Sequence, residues 1–530
     1  MVSLNKISII DLFAGPGGLG EGFSRLQRDG ESVFDIKLSI EKDPNAHKTL
    51  LLRSFFRKFK PEKHPEEYYD VLKATSIYER DRLLKLLYSK YSKEYESAIK
   101  EAYLAELGSI NFPDNVIDDK IQSCLKDDNR AWVLIGGPPC QAYSLVGRSR
   151  VGGINKDDHR VFLYKEYLRI IAKHQPSVFV MENVKGLLSA KLDNQSVFDN
   201  ILSDLQEPQS VFPEYNSRKY KIFSLVKEPS SFSYNNNPEY FNHNDFLIKS
   251  EEYGIPQKRH RVILLGIRDD IDKIPKILKK FEKTTTLKDI IDDLPKIRSG
   301  ISRSLEIKND YNTVKRAYKK EDKSDKNWQE IILGCYNEIR RWNDFKGFDF
   351  EESSFNFKNG IGSEFIKEAT KVSYFPEKDW FLDKKLKGTI NHISRSHLKE
   401  DLRRYLFSSM YTNVNNEFPK VNEFINHSET LVPDHKNVNS GKFTDRFRVQ
   451  KPNEPATTIT SHISKDGHYF IHYDYKQCRS LTVREAARVQ TFPDNYLFCG
   501  NRTSQFHQVG NAVPPYLAYK ISEIVYNILE

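Results

Sequence analysis

Cysteine is scarce in this chain. Five residues in 530, at positions 124, 140, 335, 478 and 499, form no close pair and no metal-ligand spacing. That argues against a disulfide framework and against structural zinc, and it fits a reducing compartment. Long apolar runs are missing too. None approaches the roughly 18 residues that cross a bilayer, so no membrane partner is expected. The first strand-like run begins by about Ile7, which leaves no room for a signal peptide; cytoplasm is the expected location. Internal repeats and low-complexity tracts are absent, which excludes solenoids and disordered arrays.

What is present is an ordinary globular composition with 38% apolar residues. The length supports a sizeable core and at least two domains. The net charge of +9 is unevenly spread. Residues 271–480 hold 39 Lys+Arg against 31 Asp+Glu, a surplus of 8, and all other residues together hold a surplus of 1. A basic segment of this kind is compatible with nucleic acid, although a Lys-rich solvated surface gives the same balance.

The chemistry-bearing motifs lie on strand ends. Lys6–Phe13 is strand-like and runs into Ala14-Gly15-Pro16-Gly17-Gly18-Leu19-Gly20, a G-x-G-x-x-G sequence that opens an amphipathic helix. A second strand, Phe34–Ile40, ends in Glu41-Lys42-Asp43, where an acid is placed to meet ribose hydroxyls. Pro44 to about Glu106 is charged and helical in period, and Gly108-Ser109-Ile110 reads as a turn at the end of a strand. Trp132–Ile135 is a short buried strand followed by Gly136-Gly137-Pro138-Pro139-Cys140. Proline fixes φ and glycine tolerates positive φ, so this turn is stiff in one part and permissive in another. A lone cysteine at its tip is a candidate nucleophile. The loop from Ser144 to Arg160 mixes glycines with Arg148 and Arg150, a pattern that suits a mobile, phosphate-contacting lid. Ser177–Met181 delivers Glu182-Asn183, a candidate proton donor. Arg259 and Arg261 alternate on entry to the strand Val262–Ile267, so their side chains share one face. Tyr220–Val226 reads as a further strand and Asn391–Arg404 as helical, and residues 479–494 carry a capping box, Thr482 with Glu485. The last helix places Leu517, Ile521, Ile524 and Ile528 on one face, which should return to the first domain.

Taken in order, the sequence resembles the DNA (cytosine-5)-methyltransferases, of the bacterial restriction–modification kind. The resemblance rests on DLFAGPGGLGEGF, IEKD, GGPPCQAYS, MENVKGL, QKRHRV, REAARVQTFPD and QVGNAVPP, correctly ordered from Asp11 to Pro515. It implies an α/β fold: a Rossmann-like S-adenosylmethionine-dependent domain with a mixed, mostly parallel sheet, plus a smaller irregular target-recognition domain. The expected boundaries are 1–270 for the catalytic domain, with a helical insertion at about 55–130, then 271–500 for target recognition, including the 479–494 organising helix. Residues 501–530 are expected to return to the catalytic domain.

By the same resemblance the cofactor is S-adenosylmethionine. Phe13, Ala14, Gly15, Gly17, Gly18 and Leu19 shape its pocket, Glu41 holds the ribose, and Lys42 lies over the adenine edge. Ser109 and Ile110 take the third-strand adenine position, where the family usually has an aspartate. Pro139, Leu163, Asn511 and Val513 complete the pocket. Cys140 attacks carbon 6 of a flipped cytosine. Glu182 serves ring nitrogen 3 and the exocyclic amine, and Arg261 serves the carbonyl oxygen, supported by Arg259, Asn183 and Pro139. Ser144, Arg148 and Arg150 belong to the loop that closes on DNA. The expected partner is double-stranded DNA, with a cognate restriction endonuclease acting on the same site without direct binding. Three other readings compete: a cytosine methyltransferase of transfer RNA, a non-catalytic DNA-binding relative, and a nicotinamide oxidoreductase. The first lacks its Cys-Phe-Thr signature here. The second is opposed by the intact cysteine, glutamate and arginine positions, and the third rests on the glycine loop alone.

Overall fold

A computed structural model describes residues 6–125, 131–139, 159–192, 194–310, 313–346, 355–433 and 445–530. Its centre is one mixed sheet. In chain order its strands are β1 (Ile7–Leu12), β2 (Phe34–Glu41), β3 (Ala102–Leu104), β4 (Trp132–Gly136), β5 (Val178–Val184), β6 (Tyr220–Ser224), β7 (Leu247–Lys249) and β8 (His260–Arg268). The spatial order is β6-β8-β5-β4-β1-β2-β3, with β7 also paired to β8. The five strands from β5 to β3 are parallel, and β8 runs antiparallel to both β5 and β6.

Both faces of the sheet are covered, so its strands are almost uninterrupted apolar runs, as parallel strands buried on two sides must be. Alternation still sorts the side chains. Ile9, Val133, Ile135, Val180 and Ile263 enter one core with α1 (Gly18–Ser24) and the C-terminal helix. Ile10, Leu12, Leu134, Phe179 and Leu264 enter the other. Between β2 and β3 lie α2 (Pro44–Arg57), α3 (Glu66–Lys73), α4 (Ile77–Lys90) and α5 (Ser92–Glu101). On the second face lie α6 (Asp114–Leu125), α7 (His159–His174) and α8 (Val197–Gln206).

Beyond β8 the chain becomes irregular. It contains α9 (Leu287–Ile291), a hairpin of β9 (Arg303–Asp310) with β10 (Thr313–Lys320), α10 (Asp325–Ile339), a second pair of β11 (Gly362–Ile366) with β12 (Thr389–Ile393), α11 (Lys399–Asn415) and α12 (Val421–His427). α10 and α11 build a separate aromatic-rich core from Trp328, Tyr336, Tyr405 and Phe407. A short helix, α13 (Val483–Val489), then joins the large core through Val483, Ala486 and Val489. It is followed by α14 (Arg502–Asn511) and α15 (Pro515–Leu529). Leu517, Ile521, Ile524 and Ile528 of α15 are buried. α15 lies so close to α1 that a Cβ on Gly22 would sit 2.3 Å from the Pro515 carbonyl oxygen.

Three arginines organise α13 from inside. Arg479 forms a bidentate pair with Glu485 at 2.6 and 2.7 Å. Glu485 also closes the capping box with Thr482. Arg484 donates to the carbonyls of Ile390, Pro493 and Tyr496, and burial pushes it down to about 10. Arg488 binds Asp494 through two bonds of 2.8 Å, Asp293 at 2.6 Å and the Ile290 carbonyl. All three are at most 1% exposed, so these cations do not reach a surface ligand.

The helices between β2 and β3 touch the irregular segment after β8 as well as the sheet. Leu52, Phe55, Tyr68, Leu72 and Leu87 share a core with Leu386, Ile390 and Leu497. A polar chain runs alongside. Glu21 of α1 holds Arg53 at 2.6 and 2.8 Å, Arg53 reaches Asn495 at 3.0 Å, Asn495 reaches Asp383 at 2.6 Å, and Tyr69 donates to Asp383 at 2.9 Å.

Candidate active site

The register of the central strands places the motifs side by side. Leu12, the last residue of β1, is opposite Gly136, the last of β4, and Gly136 is opposite Met181 of β5. The loops that follow β1, β4 and β5 therefore leave from one edge, the carboxyl ends of parallel strands, where α/β sheets bind ligands. Gly136 makes this possible, because a Cβ there would sit 2.7 Å from the Leu12 carbonyl oxygen.

The first loop is glycine-shaped. Phe13, Gly15 and Gly17 all have positive φ, at 56°, 57° and 95°. Gly17 starts α1 in the left-handed region without a side-chain cap. Gly18 lies against the return from α14 to α15, and a Cβ on it would be 2.2 Å from the Val513 carbonyl oxygen. Around Gly15 the opposite holds: among the described residues a Cβ there would meet nothing within 4 Å. The loop is thus tight behind and open in front. Glu41, at the end of β2, fixes that shape. Its carboxylate accepts from the Gly15 amide at 2.8 Å and the Asp43 amide at 2.7 Å. Burial raises its pKa, and the amide bonds oppose the rise.

Other pocket residues fall as follows. Ala14 and Leu19 are buried within the loop and α1, Leu163 is buried on α7, and Val513 is buried beside Gly18, while Asn511 is exposed at the end of α14. Lys42 points outward and pairs with Glu106 at 3.0 Å. The third strand ends at Leu104, five residues before Ser109. Ser109 and Ile110 lie in the turn that follows, where Phe112 donates to the Ser109 carbonyl at 3.0 Å. Ile110 is 98% exposed. The strand end itself carries Ala105 and Glu106.

The second cluster belongs to β5 and β8. Arg261 is opposite Val184 and Ile263 is opposite Glu182. Arg261 is therefore diagonal to Glu182 on one face, within reach of a long side chain. The Arg261 Nε lies 2.9 Å from the Glu182 Oε1, with both side chains at most 16% exposed. The other Glu182 oxygen faces the turn after β4, since a Cβ on Gly137 would sit 3.2 Å from it. The Gly-Pro-Pro turn is thus seated against the glutamate. Pro139 is the last described residue there. Cys140, Ser144, Arg148 and Arg150 lie outside the described residues.

Arg259 and Asn183 make no hydrogen bond to this pair among the described residues, although the charges of Arg261 and Glu182 both act on Arg259. Arg259 is 1% exposed and donates to the carbonyls of Ile459 at 3.0 Å and Gly510 at 3.2 Å. Burial lowers its pKa strongly, and the charge of Arg261 adds to this. It ties the entry of β8 to the chain returning from the recognition segment and to α14. Asn183 accepts from the Val184 amide at 2.8 Å and shapes the strand end. Sequence reading missed Asp11, which is fully buried in β1 with both carboxyl oxygens unpartnered among the described residues. Burial raises its pKa well above the ordinary value, opposed by Arg57. A charged residue inside an apolar strand run, Ile9-Ile10-Asp11-Leu12, was the available signal.

This strand order, with its reversed strand inserted beside β5, is that of the S-adenosylmethionine-dependent methyltransferases as a class. A model of the family described as C-5 cytosine-specific DNA methylase matches residues 87–211 and 227–527. The chain belongs to that family, and its enzymatic class is DNA (cytosine-5-)-methyltransferase. The match begins after the glycine loop, which the sheet register brings into the same site. Among similar proteins, the type II methyltransferase M.Bpa9945I of Bacillus paralicheniformis is 29% identical, covering 98% of this chain and 99% of that one. M.DdeI of Desulfomicrobium norvegicum is 25% identical over 80% of this chain and 81% of its own. A solved E. coli structure of a prophage-encoded protein, described as a DNA modification methyltransferase, shares the fold. Its TM-score is 0.51 at 20% identity, covering 99% of both chains. Among the described residues no helix is long and apolar enough to cross a membrane.

Proposed function

We propose that this chain transfers a methyl group from S-adenosylmethionine to carbon 5 of a cytosine flipped out of a specific duplex DNA site. Its role is to protect host DNA from a restriction endonuclease that acts on the same site. The observation that carries the reading is the Glu182–Arg261 pair, 2.9 Å apart, seated against the turn that leads to Cys140. The cofactor fits the residues present: the front of Gly15 is open, and the Glu41 carboxylate stands beside it. Glu41 would hold the ribose hydroxyls, with Phe13, Leu19, Leu163 and Val513 as apolar walls and Lys42 and Asn511 at the rim. Pro139 would border the reacting end, and the turn holding Ser109 and Ile110 would flank the adenine side. When bound, S-adenosylmethionine supplies an electrophilic methyl group.

Cytosine is a poor nucleophile at carbon 5. Attack of the Cys140 thiolate on carbon 6 saturates the ring bond and makes carbon 5 enamine-like. Once carbon 5 carries the methyl group, loss of its proton to base and expulsion of the Cys140 thiolate break the carbon 6–sulfur bond and restore the aromatic ring. Glu182 hydrogen-bonds ring nitrogen 3 and the exocyclic amine and so draws electrons from carbon 6. Arg261 uses Nε on Glu182 and Nη1 on the His260 carbonyl, and its remaining nitrogen is assigned to the base carbonyl. Arg259 and Asn183 hold the two strand ends in place. The target base must leave the stack, at a cost of a few kcal/mol. The loop with Ser144, Arg148 and Arg150 is assigned to closing over it.

Bisulfite sequencing of DNA from cells expressing the protein tests activity and site together. Methylated cytosines in one sequence context are expected, and their absence would sink the reading. Cys140→Ala is expected to abolish transfer while retaining duplex binding. Methylation of transfer RNA alone would favour the competing substrate.

A further inference from the structure

A cavity of about 650 Å³ opens in the recognition segment, away from the glycine loop. Its walls come from β9 and β10, from the 395–401 segment, from 464–468, and from the start of α14. Five cations line it: Arg303, Lys320, Arg395, Lys465 and Arg502. Two carboxylates line it as well, and both are engaged. Asp466 pairs with Arg446 at 2.7 Å, and Asp401 pairs with Arg404 at 2.8 Å.

Arg395 and Arg502 are different. Arg395 spends its terminal nitrogens on the carbonyls of Lys465 and Ile463, and Arg502 donates to the Ser394 carbonyl at 3.0 Å. These bonds fix the two guanidiniums without neutralising them. Neither has an ion-pair partner among the described residues. Burial pushes Arg395 down to about 10; Tyr405 and Asp466 oppose the fall, and the positive charge of Arg502 adds to it. Three buried polar atoms of wall residues are also unpartnered among the described residues: His397 Nε2, Ser464 Oγ and Arg395 Nε. His397 is 6% exposed and Ser464 is 7% exposed. Two arginines without a direct ion pair among the described residues, with Asp466 acting on Arg395 only from a distance, stand beside unpartnered ring, hydroxyl and guanidinium atoms and form an anion site with donors already oriented.

We propose that this cavity holds a backbone phosphate of the duplex, on the recognition side of the target cytosine. The assignment rests on the DNA-methylation reading. Arg502 starts α14 and Asn511 ends it, so nine helical steps, about 14 Å, separate the cavity from the rim of the cofactor loop. That is about four phosphates along one strand. The site would set the register of the DNA without reading its bases.

The test compares the full-length wild type with Arg502→Gln and Lys465→Gln, after melting curves show that each variant folds. Duplex affinity is measured by fluorescence anisotropy across salt concentrations, and methyl transfer is measured against DNA concentration. Each variant is expected to lower the slope of log K against log salt by about 0.9, the value of one phosphate contact. KM for DNA should rise about tenfold, with kcat changed less than twofold. Unchanged slope and KM in both variants would overturn the proposal. A melting shift of the wild type by inorganic phosphate, lost in Arg502→Gln while DNA parameters stay fixed, would assign the cavity to free phosphate and overturn it equally. Failure of the methylation reading is distinguishable, because the wild type itself would then leave duplex DNA unmethylated.

Discussion

Two Glu–Arg pairs in this molecule use the same chemistry for opposite ends. Glu182–Arg261 sits at a strand edge, with both side chains partly exposed and one carboxylate oxygen facing the adjoining turn. Glu485–Arg479 is sealed, at 1% exposure on both sides, with further bonds to the Thr482 amide and the Ile297 carbonyl. In the first pair, hydrogen-bonding capacity is left over among the described residues, as the proposed base contact requires. In the second it is exhausted by the protein. Saturation of donors and acceptors separates a site from a strut, because a buried polar group left unsatisfied costs about 1–3 kcal/mol and is kept only where something else meets it.

The comparison can be broken at either end. Glu182→Gln keeps the shape and removes the charge. Transfer is expected to fall roughly 10²–10⁴-fold, with melting temperature within a few degrees of wild type; a large stability loss would make Glu182 a strut. Arg488→Met strands Asp494 and Asp293, so unfolding is expected to weaken by about 3–5 kcal/mol. Denaturant titration measures this, and full stability would show that the α13 network is dispensable.

Acid sharpens the contrast. Burial holds His392 and His472 down at about 4, against an ordinary value of 6.5. Both stay neutral in the fold while the unfolded chain takes up protons below 6.5. Stability is therefore expected to fall as pH drops from about 6.5 to 4, by on the order of 3 kcal/mol per histidine. Both lie beside Glu485 or its cap Thr482, so the weakening belongs to the strut. His392→Gln should flatten the profile, and a wild-type profile already flat across that range would refute it. The smallest effect is local: Gly18→Ala drives a Cβ into the Val513 carbonyl. It is expected to cost about 1–3 kcal/mol and to weaken S-adenosylmethionine binding measured by calorimetry, with unaltered binding counting against a cofactor role for this loop.

Much of the sheet was legible. Apolar runs bounded by Gly, Pro or charged residues marked β1, β2, β4, β5, β6 and β8 within a few residues, because strands buried on both faces must be apolar throughout. The face of α15 and the capping box at Thr482 were equally visible. β3 was not. It has three residues, Ala102-Tyr103-Leu104, between charged helices, too few for periodicity to register. The stretch from Asn391 reads as helical, yet 389–393 is β12 and the helix starts at Lys399. Pairing with β11 overrides local preference there. Of the candidate site, strand-end position gave away Glu182 and Arg261, whereas the inward turn of Arg259 depends on Ile459 and Gly510, some 200 and 251 residues away. No local pattern encodes such a contact.

The buried arginines of α13 also set where this protein can be cut and rejoined. Arg488 is held by residues 290, 293, 370 and 494, and Arg484 by 390, 493 and 496. A recognition segment transplanted from a relative with a boundary between α9 and α13 would part these guanidiniums from their acceptors. Under the proposed function, exchange of target specificity would have to move α13 together with the stretches that cradle it, as one block.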